Sequence, residues 1–324
     1  MKYAVVGAGA IGAYVGASLA RGGADVMLIA RGENLRVMQE RGVTVLSPRG
    51  DFEAHPAATD DLDAIGDADV VFLGIKAYSL PGLAPAIGRA LKPGAAVIAG
   101  QNGIPWWYFQ SYSGPLSGAS LESVDPGGVV AGAIPAEAVI GCVIYCSTEI
   151  DEPGVIRHIE GTRYAIGEPD GTPSARCDAI SADFRAGGLK APVEQDLRSQ
   201  IWLKLIGNAP FNAVTALTGA TLGELGLRPG MVALLRSMLT ECASVASALG
   251  VELPVGIERR LQAGIEVGDH KTSTLMDLEA GKPLEIDCMS GAVIELAGRL
   301  GQAVPCLQTA HECTKLLEQL RNSA

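Results

Sequence analysis

Apolar positions change their spacing partway along this chain. In the first half they come as short unbroken runs. Residues 3–6, 25–30 (DVMLIA), 43–46, 69–75 (DVVFLGI), 95–99 and 139–145 are all of this kind. Runs of four to seven residues rich in Val, Ile, Leu and Ala read as strands, and the absence of polar alternation implies that both faces are covered. Between them lie helical stretches. Residues 13–23 (AYVGASLARGG) read as a helix ending at Gly22–Gly23, residues 80–91 as one stopped by Pro93–Gly94, and residues 174–186 as a third. Residues 155–160 and 163–166 suggest a hairpin turning at Gly161–Thr162, and the Ser-, Gly- and Pro-rich residues 110–132 a loop or insertion.

Beyond Asp196 the spacing is helical throughout. Long helices are predicted over residues 197–217, 229–249, 254–267, 284–300 and 307–320, with shorter pieces at 221–225 and 273–279. The fold class expected is α/β, an N-terminal Rossmann-type doubly wound sheet (residues 1–195) with a C-terminal all-α domain (residues 196–324). Two such domains imply a cleft, and ligands of doubly wound sheets bind at the carboxyl ends of the strands.

The first strand runs into Gly7-Ala8-Gly9-Ala10-Ile11-Gly12, which has G-x-G-x-x-G spacing. Strand, glycine turn and helix in that order are the context in which this motif means dinucleotide binding. Gly7 allows the tight turn, Gly9 lets a pyrophosphate approach the backbone, and Gly12 lets helix and strand pack closely. The phosphates then meet the free N–H groups of the helix start. A secretory leader is the rival reading, because Lys2 precedes a mostly apolar run. The fingerprint spacing and the strand that follows at 25–30 favour the nucleotide. At the end of that second strand an NAD site places an Asp or Glu to accept from the ribose 2′-hydroxyl. Here Ala30–Arg31 stands there, and an arginine fork suits a 2′-phosphate, so NADP(H) is expected; Glu33 is the competing acceptor nearby.

With 324 residues, 48% of them apolar, one or two domains with a sizeable core are expected. The net charge of −11 excludes a basic nucleic-acid surface, and an anionic ligand would need a locally positive pocket. Seven scattered cysteines without a C-x-x-C pair indicate reduced thiols and a cytoplasmic protein. The four histidines lie far apart, so no metal site is expected, and no stretch beyond the N-terminal one approaches a membrane span. The helical half has enough apolar surface for a homodimer or for its own core; composition leaves the two open.

Residues 201–219 (IWLKLIGNAPFNAVTALTG) carry the second signal. Lys204, Asn208 and Asn212 recur every four residues and form a polar stripe on an otherwise apolar helix, with a kink expected at Pro210. A buried ammonium is costly unless a partner or a ligand compensates it. A third stretch, residues 273–287 (STLMDLEAGKPLEID), places Ser273 at the start of a short helix and Glu285 at the opening of the next. Read singly, these residues are equally a salt-bridged core lysine, an N-cap and a first-turn acid.

Taken together, the glycine turn, Lys76 after the 69–75 strand, Gln101-Asn102-Gly103, the Lys204–Asn208–Asn212 stripe, and Ser273 with Glu285 resemble the ketopantoate reductase (2-dehydropantoate 2-reductase) family over nearly the whole chain. The resemblance implies NADPH-dependent reduction of 2-dehydropantoate to (R)-pantoate, a step toward pantothenate and coenzyme A. It implies Lys204 as general acid, with Glu285 either orienting Lys204 or accepting from the substrate's hydroxyl. Asn102 would bridge cofactor and substrate. Asn208, Asn212 and Ser273 would hold the substrate, and Lys76, with the glycine turn and Arg31, the cofactor. One departure stands out: Ile104-Pro105-Trp106-Trp107-Tyr108-Phe109 and the Ser/Gly-rich stretch to about Gly132 exceed the simplest family pattern. These aromatics either anchor the insertion or wall the pocket and favour another small 2-oxo acid. A non-catalytic NADP(H) sensor is the third reading, and it leaves the polar stripe without a purpose.

Overall fold

The structure is a computed structural model that describes residues 1–322. The chain forms two compact units, Met1–Gln101 with Gly127–Leu197, and Asn102–Pro126 with Arg198–Ala324. The change of spacing near residue 196 therefore coincides with a unit boundary, but the segment from Asn102 to Pro126 clusters with the second unit, whereas the sequence reading kept it in the first.

The first unit contains β1 (Lys2–Val6), α1 (Ala10–Arg21), β2 (Asp25–Ile29), α2 (Gly32–Arg41), β3 (Val43–Leu46), β4 (Phe52–Ala54), β5 (Ala57–Thr59), β6 (Val70–Leu73), α3 (Leu80–Ala90), β7 (Ala96–Ala99), α4 (Val129–Ala133), β8 (Val139–Glu152), β9 (Val155–Gly167) and α5 (Ala175–Ala186). Its strands form a sheet in the order β4-β3-β9-β8-β7-β6-β1-β2-β5. The stretch β5-β2-β1-β6-β7-β8 is parallel throughout and has the doubly wound order, reversing beside β1. Two antiparallel pairs, β8–β9 and β3–β4, extend the sheet at the β8 side.

Register aligns the carboxyl ends that matter. Val6 lies opposite Ile29 and Leu73, and Leu73 opposite Ala99. Gly7, Ala30–Arg31, Gly74–Lys76 and Gly100–Gln101 thus leave the sheet along one edge. Small residues on α1 bring the helix close to the strands: a Cβ on Gly16 would overlap the Leu28 side chain. Beneath, Phe72, Tyr164 and Phe184 are fully buried and make tilted and edge-on ring contacts. Burying such a ring contributes about 1.5–3 kcal/mol.

The hairpin expected at Gly161–Thr162 is not there. β8 and β9 pair from Glu152–Val155 onward, so the turn is Pro153–Gly154, and β9 runs on through Gly161. The register shifts between Tyr145 and Ser147, and the Gly161 backbone lies against Tyr145 there. Gly161 marks a bulge in a long strand, which from sequence looks the same as a turn.

The second unit contains α6 (Leu197–Thr218), α7 (Leu222–Gly226), α8 (Pro229–Ala248), α9 (Ile257–Ile265), α10 (Ser273–Glu279), a π turn at Asp287–Gly291, α11 (Ala292–Arg299) and α12 (Pro305–Asn322). α6 continues past Pro210. α8 is long and apolar enough to cross a membrane, a feature the sequence reading did not count. Its Leu235, Met238, Leu239, Cys242 and Val245 are nonetheless buried, as on the inner face of a core helix. α6 and α9 meet at two glycines: Phe211 occupies the space beside Gly264, and Arg260 the space beside Gly207.

Residues 104–109 belong to this core. Ile104, Trp106, Trp107, Tyr108 and Phe109 are all buried, and the Trp202 Nε1–H donates to the Tyr108 hydroxyl at 2.8 Å. Arg198 donates to the Tyr108 and Gln110 carbonyls, and Glu295 accepts from the Glu122 and Ser123 amides. These aromatic side chains are thus packed within the second unit.

Candidate active site

In the first unit the glycine turn is built by close backbone packing. Gly7 has φ +92°, and a Cβ there would lie 2.5 Å from Ile75 Cγ2. A Cβ on Gly12 would overlap the Gly7 carbonyl oxygen. Gly9 is different, since nothing lies within 4 Å of where its Cβ would be. Gly9 is also the N-cap of α1, with no side-chain cap and no acid in the first turn. The orphan N–H groups of Ala10, Ile11 and Gly12 and the helix dipole make this end able to take a phosphate, with Ala8 in the turn leading to it.

Arg31 is exposed at the end of β2, and its side chain has no hydrogen bond or ion pair among the described residues. Glu33, the competing ribose acceptor, is engaged by the Arg36 Nε–H at 2.9 Å. Lys76 is half-buried beyond the carboxyl end of β6. Gln101 donates from Nε2 to the Leu73 and Ile75 carbonyls, holding the end of β6 against β7. Sequence reasoning missed Asn34. Its Nδ2 donates to the Ala8 carbonyl at 2.7 Å and its Oδ1 accepts from Gly154 N at 2.9 Å, so it clamps the glycine turn. A lone Asn in a helix has no sequence signal for this.

In the second unit Asn102, Lys204 and Glu285 are brought together. The Lys204 Nζ donates to Asn102 Oδ1 at 2.7 Å, and Asn102 Nδ2 faces Glu285 Oε2 at 3.5 Å. A lysine only donates and a carboxylate only accepts, so these two neighbours set which end of the amide faces each. Lys204 is half-buried and Glu285 is buried. Gly103, at φ +84°, makes the approach possible: a Cβ there would overlap the Cys288 carbonyl, which accepts from Ile104 N at 2.9 Å. Glu285 does not open a helix as expected. It precedes the π turn, and its carbonyl accepts from the Cys288 thiol. A π turn of this kind often marks a functional site.

The remaining stripe residues differ among themselves. Asn208 is half-buried and Ser273 is exposed; neither side chain has a hydrogen bond among the described residues. Ser273 is not the N-cap of α10, because Thr272 fills that place and accepts from Leu275 N. The Thr272 hydroxyl also meets that of Thr215 at 2.6 Å, which ties α10 to α6. Asn212 is buried and donates to Met289 Sδ at 3.4 Å.

Two family models match the chain. Ketopantoate reductase PanE/ApbA covers residues 3–106, and the ketopantoate reductase PanE/ApbA C-terminal model covers residues 196–318. A 2-dehydropantoate 2-reductase of Mesorhizobium japonicum is 42% identical over 95% of this chain and 94% of its own length. Its counterpart in Halobacterium salinarum is 30% identical over 98% of this chain and 99% of its own. A PanE/ApbA family ketopantoate reductase structure from Ralstonia eutropha superposes with a TM-score of 0.86 at 29% identity, covering 99% of both chains. With both halves matched and likeness extending over nearly its full length, the chain belongs to the ketopantoate reductase family.

Proposed function

We propose that the protein reduces 2-dehydropantoate to (R)-pantoate with NADPH. The observation that carries this is the Lys204–Asn102 hydrogen bond with Glu285 behind it, in a chain of this family. The glycine turn fits a dinucleotide: the position of Gly9 leaves open space over an uncapped helix start, and Arg31 supplies a cation where a 2′-phosphate would lie. Lys76 adds a second cation at the same sheet edge.

When bound, the reduced nicotinamide supplies the hydride that adds to the 2-oxo carbon. Lys204 gives a proton from Nζ to the carbonyl oxygen, so the product is the alcohol. Before transfer its positive charge stabilises the oxyanion that develops. Asn102 takes one of the three ammonium donors and so fixes where the others point. Glu285 balances the ammonium charge through that amide. Asn208 and Ser273 hold the substrate hydroxyl and carboxylate. Asn212 joins them by giving up its bond to Met289, a weak sulfur acceptor. The aromatic residues at 106–109 lie in the core of the second unit, which supports 2-dehydropantoate over a differently shaped oxo acid.

The test is NADPH loss followed by absorbance with 2-dehydropantoate and a panel of 2-oxo acids. Turnover with 2-dehydropantoate above the rest is expected. Another oxo acid preferred a hundredfold, or no turnover with any, overturns the proposal.

A further inference from the structure

We infer that Arg260 recognises the substrate's carboxylate, an assignment that rests on the function proposed above. Arg260 lies on α9, away from every motif read in the sequence. Its guanidinium packs against α6 at Gly207, so close that a Cβ there would overlap it. Its Nε donates to the Leu203 carbonyl at 3.2 Å. Leu203 and Gly207 immediately precede Lys204 and Asn208, so the guanidinium lies beside the polar stripe. The neighbouring Phe211–Gly264 contact closes the same helix crossing and holds α9 in place.

Three physical points lead from this placement to a role. First, a 2-oxo acid carries its full negative charge on the carbon next to the carbonyl, so a group that meets the carbonyl at Lys204 needs a cation a few ångströms away. Second, the stripe offers only amides besides Lys204, and a chain of net charge −11 repels an anion elsewhere. Third, with Nε fixed on a helix carbonyl, the Nη edge has a set direction, and a planar fork matches a carboxylate in two parallel bonds. Gly207 is what admits this arrangement, since any side chain there would push the guanidinium off the helix.

The experiment compares wild type, Arg260→Gln and Gly207→Ala with 2-dehydropantoate and with its uncharged methyl ester, under saturating NADPH. Arg260→Gln is expected to raise KM for the acid roughly 10- to 100-fold, the size of a lost charge-assisted hydrogen bond, with kcat nearly kept and the ester unaffected. Gly207→Ala is expected to shift the acid in the same direction by displacing the fork without removing its charge. A purely structural role for Arg260 would change acid and ester alike, and that result overturns the inference, as does an unchanged KM for the acid. If Arg260→Gln does not fold, Gly207→Ala decides by the same acid-to-ester ratio. If wild type reduces no 2-oxo acid, the function proposed above falls first; if it does and the ratio is unmoved, only Arg260 loses its role.

Discussion

The Lys204 amine and the Asn102 amide oxygen are 2.7 Å apart although 102 residues separate them in the chain. Asn102 reaches this position because the backbone at Gly103 packs against the Cys288 carbonyl. The loop after β7 is therefore seated on the π turn that follows Glu285. This contact between glycine and backbone brings Asn102 to the Glu285 segment, while α6 supplies Lys204.

Replacing Lys204 by Met is expected to lower kcat for 2-dehydropantoate by roughly 10²- to 10⁴-fold, the usual contribution of a positioned acid. NADPH affinity, measured by nucleotide fluorescence, should stay within a few-fold. Asn102→Leu should show a smaller loss, because the amine remains but its direction is no longer set. A Lys204→Met enzyme with wild-type turnover would remove Lys204 from the chemistry.

Two glycines of the turn should respond differently. Gly12→Ala forces a Cβ into the Gly7 carbonyl, backbone against backbone, and should cost about 1–3 kcal/mol in urea unfolding. Gly9→Ala meets nothing within 4 Å and should leave stability unchanged while weakening NADPH binding. Equal stability losses in the two variants would contradict this reading of the turn.

Arg31→Ala is expected to raise the KM for NADPH roughly 10- to 100-fold, as the loss of a charge-assisted contact does, and to leave that for NADH nearly unchanged. Steady-state kinetics with both cofactors check this. A parallel rise for both would mean that Arg31 does not read the 2′-phosphate.

The pair Glu168–Arg176 predicts a pH effect on stability. Burial pushes the Glu168 carboxyl up, but hydrogen bonds from Arg176 and Ser174 outweigh it and hold the group below its ordinary value of 4.5. Arg176 donates to both carboxylate oxygens at 2.6 Å. A carboxyl whose pKa is lowered by folding stabilises the fold above the unfolded value, and that stability is lost as pH falls through the folded one. Arg176→Met should cost about 1–3 kcal/mol at neutral pH, less than the roughly 3–5 kcal/mol of a fully buried pair because the guanidinium is partly exposed. Below pH 4.5 the gap between variant and wild type should narrow in denaturant titrations.

Much of this protein is legible locally. The apolar run at residues 43–46 and the helix at 273–279 appear in the structure as they read, and the run at 95–99 appears one residue shorter as β7, because strand and helix periodicities are set by backbone geometry. Short edge strands such as β4 and β5 escaped notice, since three residues carry no period. Gly161 was misread because a bulge and a turn make the same demand on the backbone. Ser273 is the first residue of its helix as read, while the cap before it is Thr272, a hydroxyl equally suited to that place.

By itself the sequence determined the change from sheet to helices, the glycine turn, and the four-residue spacing of Lys204, Asn208 and Asn212. Each follows from bonds and angles within a few residues. Tertiary structure alone decided that residues 102–126 cluster with the second unit, that Asn102 meets Lys204 and Glu285, and that Arg260 lies on Gly207. Those pairings depend on how distant segments pack: a missing Cβ at Gly103 and at Gly207 becomes a contact only once the opposing backbone or side chain has arrived.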